Sequence, residues 1–177
     1  MKRIWISGYR NFELNTFGNK DPKIKVIKYA LQSYLKNNPV DWVLTGPNLG
    51  TEQWASEVAL NLDVNLAIIS PYQEFASRWN EANQAHLQEL IVACDFDLTI
   101  SNEKYQNPGQ LIQYQKFMLE HTDEALLLYD PEHEGKPKYS YQAIQQYQKG
   151  HDYPCHLLDF YELEDYAREL SEESYPS

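Results

Sequence analysis

Cysteine is scarce in this sequence, which has two among 177 residues. Cys94 and Cys155 fall in different predicted elements and form no Cys-x-x-Cys pair, so neither a zinc domain nor a disulfide framework is indicated. The five histidines show no metal-ligand spacing, and we therefore expect no metal. No Ser/His/Asp or Cys/His combination for nucleophilic catalysis can be assembled from the sequence.

Positive charge is also in short supply. Lys and Arg number 15 against 26 Asp and Glu, giving a net charge of -11. Nucleic-acid binding depends mainly on Lys and Arg that neutralise phosphates, so this balance argues against extended DNA or RNA as the main partner. A small anion can still bind to a protein with this net charge. Backbone N–H groups and one or two Arg side chains near the anion can outweigh the distant, screened field of the acidic residues.

Long hydrophobic runs are missing as well. No apolar stretch approaches membrane-spanning length, and the strand-like segment 1–7 is too short for a signal peptide. We therefore predict a cytoplasmic protein with no membrane partner. The length suits one domain, and no linker divides the chain, so we predict a single domain over 1–170 followed by a polar tail over 171–177.

The sequence does contain short apolar runs that alternate with longer segments of helical period. This alternation is typical of an α/β fold with a mostly parallel sheet, and it predicts a Rossmann-like three-layer α/β/α domain. About six strands are predicted, at 3–7, 41–45, 65–70, 97–101, 124–129 and 155–158. Helices are predicted around 24–35, over 87–94, after Asn107-Pro108, over 141–149 and over 162–170.

Nearly every predicted strand ends in a small hydroxyl residue or an acid. In an open parallel sheet these carboxyl ends border the ligand crevice, so the series outlines one candidate site. The same residue types also cap helices, which is the alternative interpretation. The residues are Ser7, Thr45, Ser70, Ser101 and Asp130.

Two loops after strand ends carry the strongest signals. In the first, Gly8 permits close backbone approach and Arg10 offers a planar guanidinium for phosphate or carboxylate, unless Arg10 is a solvated surface residue. In the second, Gly46 and Gly50 lie between a strand and a helix, where unpaired N–H groups attract an anion. This loop matches neither Gly-x-Gly-x-x-Gly nor a P-loop, and a plain strand–helix junction would use glycines too.

Several segments together resemble the YpsA family. They are Ser-Gly-Tyr-Arg at 7–10, Thr-Gly-Pro-Asn-Leu-Gly-Thr-Glu-Gln-Trp-Ala-Ser-Glu at 45–57 and Leu-Leu-Leu-Tyr-Asp-Pro-Glu-His-Glu-Gly-Lys-Pro-Lys-Tyr at 126–139, with Arg78-Trp79-Asn80 and Asn107-Pro108 in register. The family belongs to the SLOG superfamily of Rossmann-like proteins, with DprA and the LOG proteins. The resemblance implies a cytoplasmic sensor or regulatory protein that binds a nucleotide, related to NAD or ADP-ribose, at the glycine-rich loops.

The resemblance also implies roles for particular positions. Gly46, Gly50 and Glu52 take the place of the superfamily's glycine-rich segment and polar helix start, so Glu52 could accept a ribose hydroxyl. An acid in the first helical turn also complements the helix dipole, which is the simpler explanation. Trp54 could stack on a base or belong to the core. The remaining ligand-binding candidates are Gly8, Tyr9, Arg10, Thr45, Asn48, Thr51, Arg78, Trp79 and Asp130.

One departure bears on catalysis. LOG phosphoribohydrolases carry a second Pro-Gly-Gly-x-Gly-Thr-x-x-Glu element, which this sequence lacks. This difference favours a binding protein over an enzyme. An enzyme would cleave the N-glycosidic bond of a nucleotide, with Glu52 or Glu57 stabilising the ribosyl cation or activating water. A third interpretation is an interaction module that binds another protein, or a second copy of itself, through exposed tyrosines.

Overall fold

The computed structural model describes residues 1–16, 18 and 20–173. The described part of the chain forms six strands: β1 (Arg3–Gly8), β2 (Trp42–Thr45), β3 (Asn65–Ser70), β4 (Phe96–Thr99), β5 (Glu124–Leu128) and β6 (Cys155–Leu158). They form one sheet in the order β4-β3-β2-β1-β5-β6, and every neighbouring pair is parallel. The predicted α/β class and the number of strands are confirmed.

Helices cover both faces of this sheet. The described residues form α1 (Pro22–Asn37), α2 (Thr51–Asn61), α3 (Glu81–Ala93), α4 (Gly109–Glu120), α5 (Pro137–Gln148) and α6 (Phe160–Glu173), with a 3₁₀ turn at Asn11–Leu14. α1 packs on α2 and α6, α2 packs on α3, and α4 packs on α5. Right-handed crossovers place α1, α2 and α3 on one face and α4 and α5 on the other. Within the described ranges, no helix has the length and apolar character needed to cross a bilayer.

The first helix shows how local sequence produces these elements. Asp21 caps α1 by accepting a hydrogen bond from the Lys23 N–H at 2.9 Å, and Pro22 occupies the first helical turn, where its missing N–H costs nothing. The predicted apolar face is buried against the sheet. Its members are Ile24, Ile27, Leu31 and Leu35.

The structure differs from the prediction mainly at element ends. β4 is shifted toward the N-terminus relative to 97–101 because it is an edge strand with an exposed outer side, so its apolar pattern is weak. α4 starts at Gly109, with Pro108 at the N-cap position that was predicted for Asn107. The Asn107 side chain lies one residue earlier and accepts from the Gly109 N–H at 2.8 Å. α5 starts at Pro137 rather than near 141. α6 continues through 171–173, part of the predicted polar tail, and 174–177 lie outside the described residues.

The centre of the sheet is the most buried part of the molecule. Ile4, Trp5 and Ile6 of β1 and residues 126–128 of β5 are inaccessible to solvent. Strands with helices on both faces favour such continuous apolar runs. The strand-end loops are therefore held on a rigid base, with all carboxyl ends at one edge.

Candidate functional site

The loops after β1 and β2 join each other at this edge. Arg10 and Gly50 form an isolated antiparallel bridge. The Thr51 N–H donates to the Tyr9 carbonyl at 3.1 Å, and the Thr51 hydroxyl donates to the same oxygen at 2.9 Å. The two predicted loops therefore form one surface, and part of the α2 N-terminus already binds a protein carbonyl.

Glycines allow this close approach of one loop to the other. Gly50 has φ 107° and ψ -136°, a backbone conformation that residues with a side chain rarely adopt. A Cβ on Gly8 would lie 2.6 Å from the Leu128 Cβ and 2.8 Å from the Thr51 hydroxyl. The close packing of backbone segments within the protein therefore explains both glycines, independently of any ligand.

Glu52 lies in the first turn of α2, directly after the second loop, and is only 2% exposed. Its Oε2 accepts from the Ser7 hydroxyl at 2.8 Å. Its Oε1 accepts from the Asn48 N–H at 3.0 Å and from the Asn48 side-chain amide at 2.8 Å. The carboxylate therefore ties the loop to β1, and it retains one free acceptor position of about four.

A tyrosine of α4 meets this carboxylate over Gly46. A Cβ on Gly46 would lie 2.5 Å from the Glu52 Oε1 and 2.5 Å from the Tyr114 hydroxyl oxygen. Tyr114 is 8% exposed, and its hydroxyl has no hydrogen-bond partner in the part of the chain that the structure describes. Burial, and then the nearby Glu52, raise the pKa of Tyr114 well above its ordinary value, whereas Arg10 lowers it. The hydroxyl therefore stays protonated and is available as a donor.

Arg10 brings positive charge to the bridge between the two loops. It is half-buried, and its Nη1 donates to the Gly8 carbonyl at 3.0 Å. Among the residues described, no carboxylate forms an ion pair with its guanidinium. A guanidinium has five donors, so several remain for a planar anion.

Two further candidates connect the loops after β1 and β5. The buried Tyr9 hydroxyl donates to the His133 carbonyl at 2.6 Å and accepts from the Asp130 N–H at 2.8 Å. The Asp130 carboxylate accepts from the N–H groups of Glu132 at 2.9 Å and Phe160 at 3.3 Å. Burial is the main cause that raises the pKa of Tyr9 to about 12. Both side chains are engaged with the protein itself.

The other candidates are dispersed. The buried Thr45 hydroxyl donates to the Ile6 carbonyl at 2.6 Å, and Trp54 lies in the hydrophobic core. Glu57 forms an ion pair with Lys28 and contacts the His86 ring at 2.8 Å, between helices α1 and α3. The structure therefore does not place Glu57 with Glu52.

Trp79 belongs to a group of rings after β3 and β4, which we call the aromatic ladder: Tyr105, Tyr72, Phe75 and Trp79. Successive ring centroids are 5.2, 5.1 and 5.9 Å apart. Tyr105 is 51% exposed, and Arg78 beside Trp79 is also exposed. The first three rings were not among the residues predicted from the sequence, although Tyr72 and Tyr105 lie in the loops after β3 and β4.

Two grooves lie away from Arg10, Glu52 and Tyr114. One of about 640 Å³ runs between α1 and α6 and includes Lys36 and Glu169. The other, of about 430 Å³, has apolar walls that include Ile27 and Leu163. The second groove also includes Glu13 and Leu14 of the loop after β1, but neither groove includes Arg10, Glu52 or Tyr114. Across the described ranges, no group of three or more His, Cys, Asp or Glu could hold a metal ion.

The contacts of Glu52 predict different effects for two substitutions. Glu52→Ala should lower the free energy of unfolding by about 2–3 kcal/mol, because Ser7 and Asn48 lose their acceptor. Glu52→Gln should cost less than about 1 kcal/mol, because the amide oxygen still accepts from Asn48 and the amide nitrogen can donate to Ser7. Urea denaturation measures both values. Equally small losses would show that this carboxylate does not hold the loop together.

Solved structures with a similar fold include DNA processing protein A (DprA) from two bacteria. The Streptococcus pneumoniae protein matches with a TM-score of 0.58 and 13% identity, covering 98% of this chain and 56% of that one. The Helicobacter pylori protein, described with a single-stranded DNA binding mode, matches with a TM-score of 0.58 and 17% identity, covering 98% and 82%. These identities show a shared fold and nothing finer.

Sequence comparison gives a closer relationship. The UPF0398 protein of Lactobacillus gasseri is 53% identical over 180 residues, covering 97% of this chain and 95% of that protein. The UPF0398 protein of Lactiplantibacillus plantarum is 48% identical over 180 residues with the same coverage. Residues 4–163 match the YpsA model, described as the YspA SLOG family. This match spans most of the chain, and the chain therefore belongs to the YpsA family.

Proposed function

We propose that this protein binds a small nucleotide-like ligand, related to NAD or ADP-ribose, at the carboxyl edge of its sheet and acts as a cytoplasmic sensor or regulator. The observation that carries this proposal is the position of Arg10. Arg10 is bridged to Gly50, and its half-buried guanidinium has no ion-pair partner among the described residues. The buried Tyr114 hydroxyl, next to Gly46 of the same loop, is likewise unpartnered. Both groups are hydrogen-bond donors suited to ligand oxygens.

The net negative charge of the molecule makes an unpaired, half-buried arginine unusual. With a net charge of -11, the average surface repels anions. A partly buried cation loses hydration, and this cost is offset when an anion binds to it. Arg10 therefore supports a site for the phosphate end of a ligand.

The aromatic ladder supports a site for the base. It follows β3 and β4, and β2 is separated from β4 by one strand. Neighbouring strands lie about 4.8 Å apart, so the ends of β2 and β4 are separated by roughly 10 Å, which a nucleotide can span. Exposed rings bind bases by stacking, with a contribution of about 1–3 kcal/mol per base.

Calorimetric titration of the purified protein tests the proposal. The ligands are AMP, ADP-ribose, NAD, inorganic phosphate and a short single-stranded oligonucleotide. We expect heat with at least one nucleotide and weaker binding of phosphate alone. Absence of both heat and a thermal shift with every nucleotide would contradict the proposal.

The same samples separate the alternatives. Release of free base, lost in Glu52→Gln, would identify a hydrolase of the N-glycosidic bond. Binding of the oligonucleotide alone would indicate a role like that described for the H. pylori DprA. An interaction module would bind a protein partner, or itself, with no response to nucleotides.

The aromatic ladder gives a more specific prediction. Tyr105→Ala should weaken AMP binding about tenfold, because one exposed stacking surface is lost. It should leave ribose 5-phosphate binding unchanged, because that ligand has no base. Tyr161→Ala is the matched control, since Tyr161 is 67% exposed on α6. If both variants bind AMP like the parent protein, the base does not lie on the ladder.

A further inference from the structure

The Tyr114 hydroxyl is the least expected polar group at the strand-end site. A buried polar atom without a hydrogen bond costs free energy, and such atoms are rare in native proteins. Tyr114 lies on the buried side of α4 with Met118 and Leu119, where a phenylalanine ring would pack equally well. The packing of this helix therefore explains the ring of Tyr114 but not its hydroxyl.

Two elements bring complementary groups to this point, with Glu52 from α2 and Tyr114 from α4. Arg10 lies in the loop after β1, which is bridged to Gly50 in the same loop as Gly46. The glycine at 46 lets the carboxylate and the hydroxyl approach the same point of the backbone, yet no hydrogen bond joins them. Arg10 and Asn48 are partly exposed, so the cluster borders solvent on their side.

The pair presents an acceptor beside a donor. The Glu52 carboxylate can only accept. Its Oε1, the oxygen nearer Gly46, already accepts twice from Asn48, so the remaining acceptor position is on Oε2, which accepts once from Ser7. A ligand hydroxyl can donate to Glu52 and accept from Tyr114 at once. A phosphate oxygen cannot donate, and a carboxylate beside it would repel it.

We propose that Tyr114 and Glu52 together bind one ribose hydroxyl of the ligand, so that Tyr114 is a specificity-determining residue that distinguishes a ribonucleotide from its deoxy analogue. This inference rests on the proposed nucleotide binding and adds Tyr114 as the residue that selects the sugar. Arg10 holds the adjoining phosphate.

The test compares AMP with 2′-deoxy-AMP and 3′-deoxy-AMP in the parent protein and in Tyr114→Phe. The parent should bind AMP at least about tenfold more tightly than one of the analogues, since one site hydrogen bond is lost. Tyr114→Phe should weaken AMP binding by about the same factor, leave binding of that analogue unchanged and keep the midpoint of urea unfolding.

Tyr153→Phe is the matched control. Tyr153 is also buried, but its hydroxyl lies 2.6 Å from the Thr122 hydroxyl and donates to the Glu124 carbonyl at 3.0 Å. This variant should lose stability and keep its preference for AMP.

The outcomes are distinct. Equal binding of AMP and both analogues by the parent protein, or an unchanged preference in Tyr114→Phe, would overturn this inference and leave nucleotide binding intact. A lower unfolding midpoint in Tyr114→Phe, with equal loss for all ligands, would also overturn it by assigning the hydroxyl a structural role. Failure of the parent protein to bind any nucleotide would overturn both proposals.

Discussion

Gly50→Ala is expected to lower the free energy of unfolding by about 4 kcal/mol, a large part of the roughly 5–15 kcal/mol that stabilises a typical domain. Part of the loss is backbone strain, about 1–3 kcal/mol, because φ at this position is 107°. The rest is steric overlap. The new Cβ would lie 2.6 Å from the Asn11 nitrogen, 2.7 Å from the Tyr9 oxygen and 2.8 Å from the Arg10 carbonyl carbon. All three are backbone atoms, so no side-chain rotation can relieve the contact.

Urea denaturation measures this loss, and Gly150→Ala is the control. A Cβ on Gly150 would meet no described atom within 4 Å beyond its chain neighbours, and its φ is not positive, so its substitution should change stability by less than about 0.5 kcal/mol. A similarly small effect of Gly50→Ala would show that the loops after β1 and β2 do not pack as described. In that case the site built on their bridge would fail as well.

The fold was predictable because its signals are local. The apolar run at 126–128 marks a strand buried on both faces, and the spacing of Ile24, Ile27 and Leu31 marks one face of a helix. The bounds of the edge strand β4 were predicted least accurately among the strands. Phe96 and Leu98 are exposed, so this strand lacks the burial pattern on which prediction depends. The observed helix ends differ from the predicted ones by a few residues, because the apolar spacing does not fix where the terminal turns begin and end.

The site was predictable only in part, because its contacts join distant elements. Gly8, Arg10, Gly46 and Gly50 are conspicuous in sequence, because Gly8 ends β1 and the other three lie in the loops after β1 and β2. Tyr114 is not, because its approach to Gly46 depends on the strand order and on α4 crossing to the other face of the sheet. A tyrosine among the apolar residues of a helix looks like any core residue until its hydroxyl is found without a partner.

Two residues predicted to contact a ligand have a structural role because they are buried. Glu52 and Asp130 are polar residues at strand-end loops, where ligand contacts are expected. In the structure both are buried and accept hydrogen bonds from protein groups. Polar residues at such positions therefore shape the loops first, and a ligand can use only the donor and acceptor positions that remain.

Arg10→Ala is expected to weaken binding of a phosphate-bearing nucleotide by about a hundredfold. Truncating one member of a partly buried charge pair costs about 2–5 kcal/mol, and each 1.4 kcal/mol is a factor of ten in Kd. Arg10→Lys keeps the charge and loses the planar fork, so we expect about a tenfold loss. Calorimetric titration with AMP at two salt concentrations measures both variants, and the salt dependence should decrease when the charge is removed.

Arg168→Ala is the control for net charge, because Arg168 is exposed on α6 and pairs with Asp165 there. It lowers the net charge equally and should leave AMP binding unchanged. The side chain of Arg10 also donates to the Gly8 carbonyl, so the stability of each variant is measured alongside. Loss of binding in Arg10→Ala with unchanged unfolding places the phosphate on this guanidinium. The contrary result is parent-like binding in Arg10→Ala together with weaker binding in Tyr105→Ala. It would show that the phosphate does not bind at the loops after β1 and β2, because an anion held elsewhere does not respond to the charge of Arg10.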